Sequence, residues 1–204
     1  MADRFSAAVK TAFAAIEKKD SKSSTTPATL RLTFGNQADS AADVVVDAQN
    51  AGTFVTPTQA TKEPQLALAA ASATPGTKYL AVSLDPDAPF PSFSFLGPIL
   101  HGVQANLTAG DAVDGWAPLT SSVAPAVDYI KPGPPSPSAA HRYVFLVYKQ
   151  PEGVDDSKIR EAMGWATEGP AVTRMGRMRF DVGDLEAKLG LGEVVGVNYF
   201  ESSQ

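Results

Sequence analysis

Cysteine is absent from this 204-residue chain. That excludes disulfides and thiolate metal sites, and it suits a reducing compartment. Histidine is nearly absent too, with His101 and His141 the whole supply. Basic charge is scarce: 17 Lys and Arg stand against 22 Asp and Glu, for a net charge of −5, so a nucleic-acid role has no electrostatic support. No apolar run approaches the roughly 20 residues of a membrane-spanning helix. Neither does the N-terminus carry the roughly 7–15-residue apolar core of a secretory signal, and Asp3, Glu17 and Asp20 speak against a mitochondrial presequence. Together these absences predict a cytoplasmic protein with no transmembrane segment. H-E-x-x-H spacing and a G-x-S-x-G nucleophile elbow are also missing, which leaves no catalytic residue, metal or cofactor to assign and predicts a protein that is not an enzyme.

What is present is an ordinary globular mix. Apolar residues make up 44%, enough for a real core in one domain. We read residues 1–204 as a single domain, with 1–26 an N-terminal helix and linker extension. In that helix Phe5, Val9, Ala12, Phe13 and Ile16 recur at helical spacing on one face, and Ser21 to Thr26 forms a short polar linker. From Leu30 the period changes to two, and short strand-like runs follow one another to Tyr199. Asp111 to Asp128 reads as a loop. Asp155 or Asp156 can cap a helix whose face is Ile159, Ala162 and Met163. Between Thr173 and Arg179, Arg174, Arg177 and Arg179 alternate among methionines, which reads as a solvated strand face. Asn106-Leu107-Thr108 matches a glycosylation sequon, read as a chance match at a strand end.

Two stretches carry the chemistry. The run Tyr79–Leu84 leads into Asp85-Pro86-Asp87-Ala88-Pro89, and His101 follows sixteen positions after Asp85. Proline fixes φ, so these carboxylates are posed rather than mobile, and Pro86 and Pro89 are the expected cis sites. The second stretch, Gly133-Pro134-Pro135 followed after five residues by His141-Arg142-Tyr143, runs into the apolar segment Val144–Tyr148. Polar groups at the ends of apolar strands, beside stiff loops, are what a small-ligand pocket needs.

These two blocks, in this order, resemble the signatures of the phosphatidylethanolamine-binding protein family, whose members include kinase inhibitors, flowering regulators and carboxypeptidase Y inhibitors. With its Ala- and Pro-rich style and the Gly97-Pro98…His101…Asn106 block, the chain resembles the fungal, carboxypeptidase Y inhibitor-like branch. The resemblance implies a mainly β fold of two antiparallel sheets with Greek-key links and a few peripheral helices. It implies a small anion-binding pocket of Asp85, Pro89, His101, Gly133, Pro134, His141 and Tyr143, and a monomer. The ligand would be a phosphate-bearing small molecule or a phosphatidylethanolamine head group, with both histidines donating to it and Asp85 either holding one of them in a single tautomer or accepting from a ligand ammonium or protonated oxygen. The chain would act as an inhibitor or modulator of a protease or kinase pathway. Two other readings stand beside this one: a direct serine carboxypeptidase inhibitor acting through its surface with an incidental pocket, and a hydrolase using the Asp/His cluster. Departures from the family pattern are Ile99 and Gly102, where relatives often carry aromatics, and Lys131, which can set a cation near the anion.

Overall fold

Alternation decides the first elements. The structure, a computed structural model, describes Val9, Lys10, Ala14, residues 30–35 and residues 43–204. Strand β1 (Leu30–Phe34) buries Leu30, Leu32 and Phe34 and turns Arg31 and Thr33 outward, as a half-buried strand does. β3 (Gln65–Ala69) alternates in the same way. β4 (Lys78–Asp85) and β7 (His141–Lys149) are instead buried almost throughout, because both of their faces are covered. β2 (Val44–Val46), β5 (Ile99–Ala109), β6 (Trp116–Thr120) and β8 (Val194–Ser202) complete an antiparallel order β2-β1-β3-β6-β5-β4-β7-β8.

The mainly β, antiparallel architecture expected from the sequence is present, and its two sheets are the two layers of one hydrogen-bonded ladder. The ladder turns a corner between β6 and β5, which pair only through Thr108 with Thr120 and Ala109 with Leu119. Beyond the corner, β2-β1-β3-β6 lies over β5-β4-β7-β8. The ring of Phe34 meets that of Phe200 edge-on at 4.9 Å. Asn198 Nδ2 donates across the gap to the carbonyls of Leu30 and Val46, at 2.9 and 3.2 Å. A Cβ at Gly196 would stand 2.5 Å from Leu68 Cδ2, so the layers touch where a side chain is missing. The connections β3 to β4 and β6 to β7 pass between layers, as Greek-key links do.

Stretch 111–128, read as a loop, contains β6. Its Pro118 pairs with Ala67 of β3, and its carbonyl accepts from Gly110 just where the β5 pairing lapses. The missing N–H of proline is tolerated at such an edge.

Two short helices cover the outer face of β4, β5 and β7. In α1 (Asp156–Met163) the Asp155 side chain accepts from Lys158 N, and Gly164 closes the C-terminus at φ 66°. In α2 (Val182–Leu189) Asp181 accepts from Asp184 N. Ile159, Val182, Leu185 and Leu189 pack with Leu80, Val82, Leu100, Val144 and Leu146, each full burial contributing about 2 kcal/mol. Val9 joins this cluster, fully buried. Of the expected N-terminal helix, Val9, Lys10 and Ala14 are helical, and the remainder, with the 21–26 linker, lies outside the described residues.

Candidate functional site

Three strand ends meet at one end of the second layer: the C-terminus of β4 brings Asp85, the start of β5 brings His101, and the start of β7 brings His141 and Tyr143. The β4–β5 register pairs Asp85 with Ile99, and the β4–β7 register pairs Leu84 with Val144. The peptide bond before Pro89 is cis, as are those before Pro98 and Pro137. Pro86, the other expected cis site, is not among them.

The two aspartates of the first block have different fates. Asp87 is buried and closes on Arg142, accepting from its backbone N at 2.8 Å, its Nε at 2.9 Å and its Nη2 at 2.8 Å. It is a structural carboxylate that ties the β4 exit loop to β7. Asp85 accepts from the Asp87 N–H on one oxygen at 2.8 Å and from His141 Nδ1 on the other at 2.9 Å.

His141 is fully buried, and its Nε2 lies 2.9 Å from Ser138 Oγ. Both of its ring nitrogens are therefore engaged within the chain. Burial pulls His141 toward the neutral form, but the Asp85 hydrogen bond and the charges of Asp85 and Asp87 outweigh it, and the net effect raises its pKa above the usual value.

His101 behaves oppositely. Its Nδ1 lies 2.7 Å from the Ile130 carbonyl. A carbonyl only accepts, so Nδ1 carries the proton and Nε2 is left as an acceptor. Burial holds its pKa below the usual value, against the pull of that carbonyl and of Asp85. The Tyr143 ring stands edge-on to His101 at 5.0 Å and stacks on Phe200 at 5.1 Å. Its hydroxyl is buried and its hydrogen finds no acceptor in the protein, and burial, with the nearby Asp85 charge, keeps it protonated against the pull of the Gly133 backbone N–H on its oxygen. It is a donor without an acceptor.

These groups line a cavity of about 260 Å³. All seven residues named from the sequence, Asp85, Pro89, His101, Gly133, Pro134, His141 and Tyr143, border it, and so do Ile99 and Lys131. Sequence reasoning missed Leu96, Ile130, Arg174 and Met178, which border it too.

The 173–179 stretch is not a strand. Met175–Arg177 forms a 3-10 turn, and Arg177 is buried, donating to the carbonyls of Leu100, His101 and Asp128. The alternation that suggested a strand face instead sends Arg174 to the cavity and Arg177 beneath it, where it fixes the β5 end that carries His101. Arg179, at φ 55°, donates from Nε to the Phe95 carbonyl at 3.2 Å. Among the described residues no group of three or more His, Asp or Glu is placed to hold a metal ion.

The cavity thus offers one buried donor, one histidine acceptor, a paired carboxylate, and cations at Lys131 and Arg174. That set suits an oxyanion that also carries a proton or an ammonium group.

Comparison with known proteins agrees with this architecture. The family model for phosphatidylethanolamine-binding protein matches residues 25–196, and the chain belongs to that family. Within it, the chain is similar to the carboxypeptidase Y inhibitor of Saccharomyces cerevisiae, 36% identical over 107 residues, which are 46% of this chain and 48% of the relative. The chain spans about half the length of the curated relatives it matches. The crystal structure of carboxypeptidase Y inhibitor complexed with its cognate proteinase matches with a TM-score of 0.65 at 22% identity, covering 96% of each chain. A phosphatidylethanolamine-binding protein from Plasmodium vivax matches with a TM-score of 0.59 at 12% identity, covering 94% of this chain and 96% of the other. Both support the fold alone. No helix among the described residues is long and apolar enough to cross a membrane.

Proposed function

We propose that this chain, acting as one domain, binds a phosphate-bearing small molecule or a phosphatidylethanolamine head group in the cavity, and that occupancy modulates a protease or kinase pathway. The observation that carries the reading is the buried Tyr143 hydroxyl, a donor with no acceptor in the protein, set in a cavity with Lys131 and Arg174 on its border. A buried donor left unpaired costs about 1–3 kcal/mol, and a ligand oxygen would recover it. An ammonium group on the same ligand has Asp85 as its partner. The names of the relatives speak for binding and inhibition rather than catalysis.

A second reading, direct inhibition of a serine carboxypeptidase through the surface with an incidental cavity, is favoured by the similarity to the yeast inhibitor.

Calorimetric titration with phosphorylethanolamine and with inorganic phosphate tests the first reading. Saturable binding by the wild type, lost in Asp85→Ala and weakened in Tyr143→Phe with folding intact, is the expected result. No heat of binding at millimolar ligand would remove the cavity as a functional site, and an inhibition assay against a serine carboxypeptidase then tests the second reading.

A further inference from the structure

Beside the cavity runs a chain of hydrogen bonds with the order of an activated nucleophile. Asp85 Oδ2 lies 2.9 Å from His141 Nδ1, and His141 Nε2 lies 2.9 Å from Ser138 Oγ. A carboxylate only accepts, so Nδ1 carries the proton. In the neutral ring Nε2 is then an acceptor, and the Ser138 hydroxyl donates to it. Carboxylate, imidazole and hydroxyl stand in series, each link within the roughly 2.6–3.2 Å of a nucleophile and its base. In sequence the three come as Asp85, Ser138, His141. Such sets are defined by geometry and occur in unrelated chain orders.

The series is held from both ends. The second oxygen of Asp85 accepts from the Asp87 N–H at 2.8 Å, and Asp87 is closed on Arg142. His141 is fully buried. Ser138 ends a turn, its backbone N donating to the Pro135 carbonyl at 2.7 Å, in a loop that Pro132, Pro134, Pro135 and Pro137 stiffen. A hydroxyl that served only to satisfy the ring could be sealed in with it. Ser138 is instead half-buried, so a reagent can reach the oxygen whose base is hidden behind it. Pro135 and His141, the two residues it bonds, both border the cavity.

The cavity supplies the remaining parts. The Tyr143 hydroxyl is a buried donor without an acceptor, and its ring stacks 6.5 Å from that of His141. A donor of this kind stabilises the oxyanion of a tetrahedral intermediate. About 260 Å³ walled by Leu96, Ile130 and Met178 fits a short acyl chain. We infer that Ser138 is a base-activated nucleophile that accepts the acyl group of a short-chain carboxylic ester. Ser138 Oγ attacks the carbonyl carbon while its proton passes to His141 Nε2. The bond from that carbon to the alcohol oxygen breaks, and the alcohol leaves with the proton. Water then attacks the acyl-serine through the same nitrogen, releasing the carboxylic acid and restoring the hydroxyl. This chemistry needs no phosphate in the cavity, so its failure would leave the phosphate reading standing.

The base acts only as the neutral ring. Burial lowers the pKa of His141, and Asp85 and Asp87 more than offset it, so the ring keeps its second proton to a higher pH than usual. His101 and Tyr143 are the other titratable groups beside it. Reactivity should therefore climb as pH rises above 6.5, the ordinary histidine value.

The test is labelling of the full chain with a fluorophosphonate, the adduct being mapped by mass spectrometry. Ser136, exposed on the same loop, is the internal reference. Ser138 should react about a hundredfold faster than Ser136, a usual contribution of a general base. The rate should rise with pH as stated and be lost in His141→Gln. If that core variant unfolds, the wild-type pH profile decides in its place. p-Nitrophenyl acetate should give a burst and slow turnover that Ser138→Ala abolishes while keeping the wild-type circular dichroism spectrum. Equal labelling of Ser138 and Ser136, a rate flat with pH, or esterase activity unchanged in Ser138→Ala would each overturn the inference. Ser138→Ala that loses stability alone, without any labelling of the wild type, would show that the hydroxyl merely caps a ring nitrogen.

Discussion

Polar side chains gather at both ends of β4 and β5, and the two gatherings are built differently. At the far end, Asn106 Oδ1 accepts from Lys78 Nζ at 3.0 Å and Gln150 Nε2 at 3.2 Å, while its backbone N donates to Gln150 Oε1 at 2.7 Å. One oxygen of Asp156 is the exception to this mutual satisfaction. The cleft there, about 630 Å³, is the larger one, but Lys78, Asp155 and Ser157 on its border are exposed to water. The near end is smaller and drier, and it keeps a donor in reserve on Tyr143. Volume is thus a poor guide to a site. A polar atom left open inside apolar walls is a better one, because water cannot satisfy it and a ligand can.

The comparison can be broken experimentally. The largest expected effect belongs to the closed pair beside the cavity. Asp87→Ala removes the carboxylate on which Arg142 closes and should cost about 3 kcal/mol in urea unfolding, the low end for a buried ion pair because Arg142 is partly exposed. A loss near zero would mean that the pair is ornamental.

Next comes the far cluster. Asn106 sits at φ 55°, so Asn106→Ala loses its hydrogen bonds and strains the backbone, for about 2 kcal/mol. Affinity for phosphorylethanolamine should stay unchanged. Tyr143→Phe reverses the pattern: the unliganded protein should gain about 1–3 kcal/mol of stability as an unpaired buried donor is removed, while affinity falls about tenfold. If Asn106→Ala weakened binding and Tyr143→Phe did not, the assignment of open and closed ends would be inverted.

The smallest effect is one of pH. Neutral His101 presents an acceptor, which repels an anion that lacks a proton. Its pKa is lowered by burial, so protonation comes below the usual 6.5, and Nε2 becomes a donor only as pH falls toward that lowered value. Sulfate affinity, read by titration across this range, should rise about threefold on acidification. In the unliganded protein the sign is opposite: the neutral His101 stabilises the fold above pH 6.5, and that contribution is lost as pH falls through the lowered pKa. Sulfate affinity that is flat with pH, or falls on acidification, would show that Nε2 does not face the anion.

How much of this was legible in the residues follows from how local each cause is. Alternation at Leu30–Phe34 and the apolar run after His141 gave the strands, since a strand's faces are written at period two. The seven cavity residues lie in two short blocks, and those were readable. Arg174 and Met178 come from a distant turn that only tertiary structure brings over, and the arginine alternation there imitated a strand. Arg177 is buried because three carbonyls of other segments need donors, a demand recorded nowhere near it in the chain. Arg142 was in plain view beside His141, but its partner is 55 positions away. The sequon at Asn106 is explained by the same far cluster, since both ends of its side-chain amide are engaged within the protein.

The corner between β5 and β6 works as a hinge of a particular kind. The layers are joined there by the pairs Thr108–Thr120 and Ala109–Leu119, and across the opposite margin Asn198 binds the carbonyls of Leu30 and Val46. The molecule is bound like a book, with a short spine and a clasped margin. There the 52–55 segment also bonds to β8, through Gly52 N to the Tyr199 carbonyl at 3.0 Å, Val55 N to the Glu201 carbonyl at 2.8 Å and Glu201 N to the Thr53 carbonyl at 3.1 Å. Pulled apart, it should part along these margins before either page tears, and amide deuteration at Asn198→Ala should spread first through β1 and β2 while β4 and β7 stay protected. The cavity belongs to one page only, so its geometry can outlast the opening of the other.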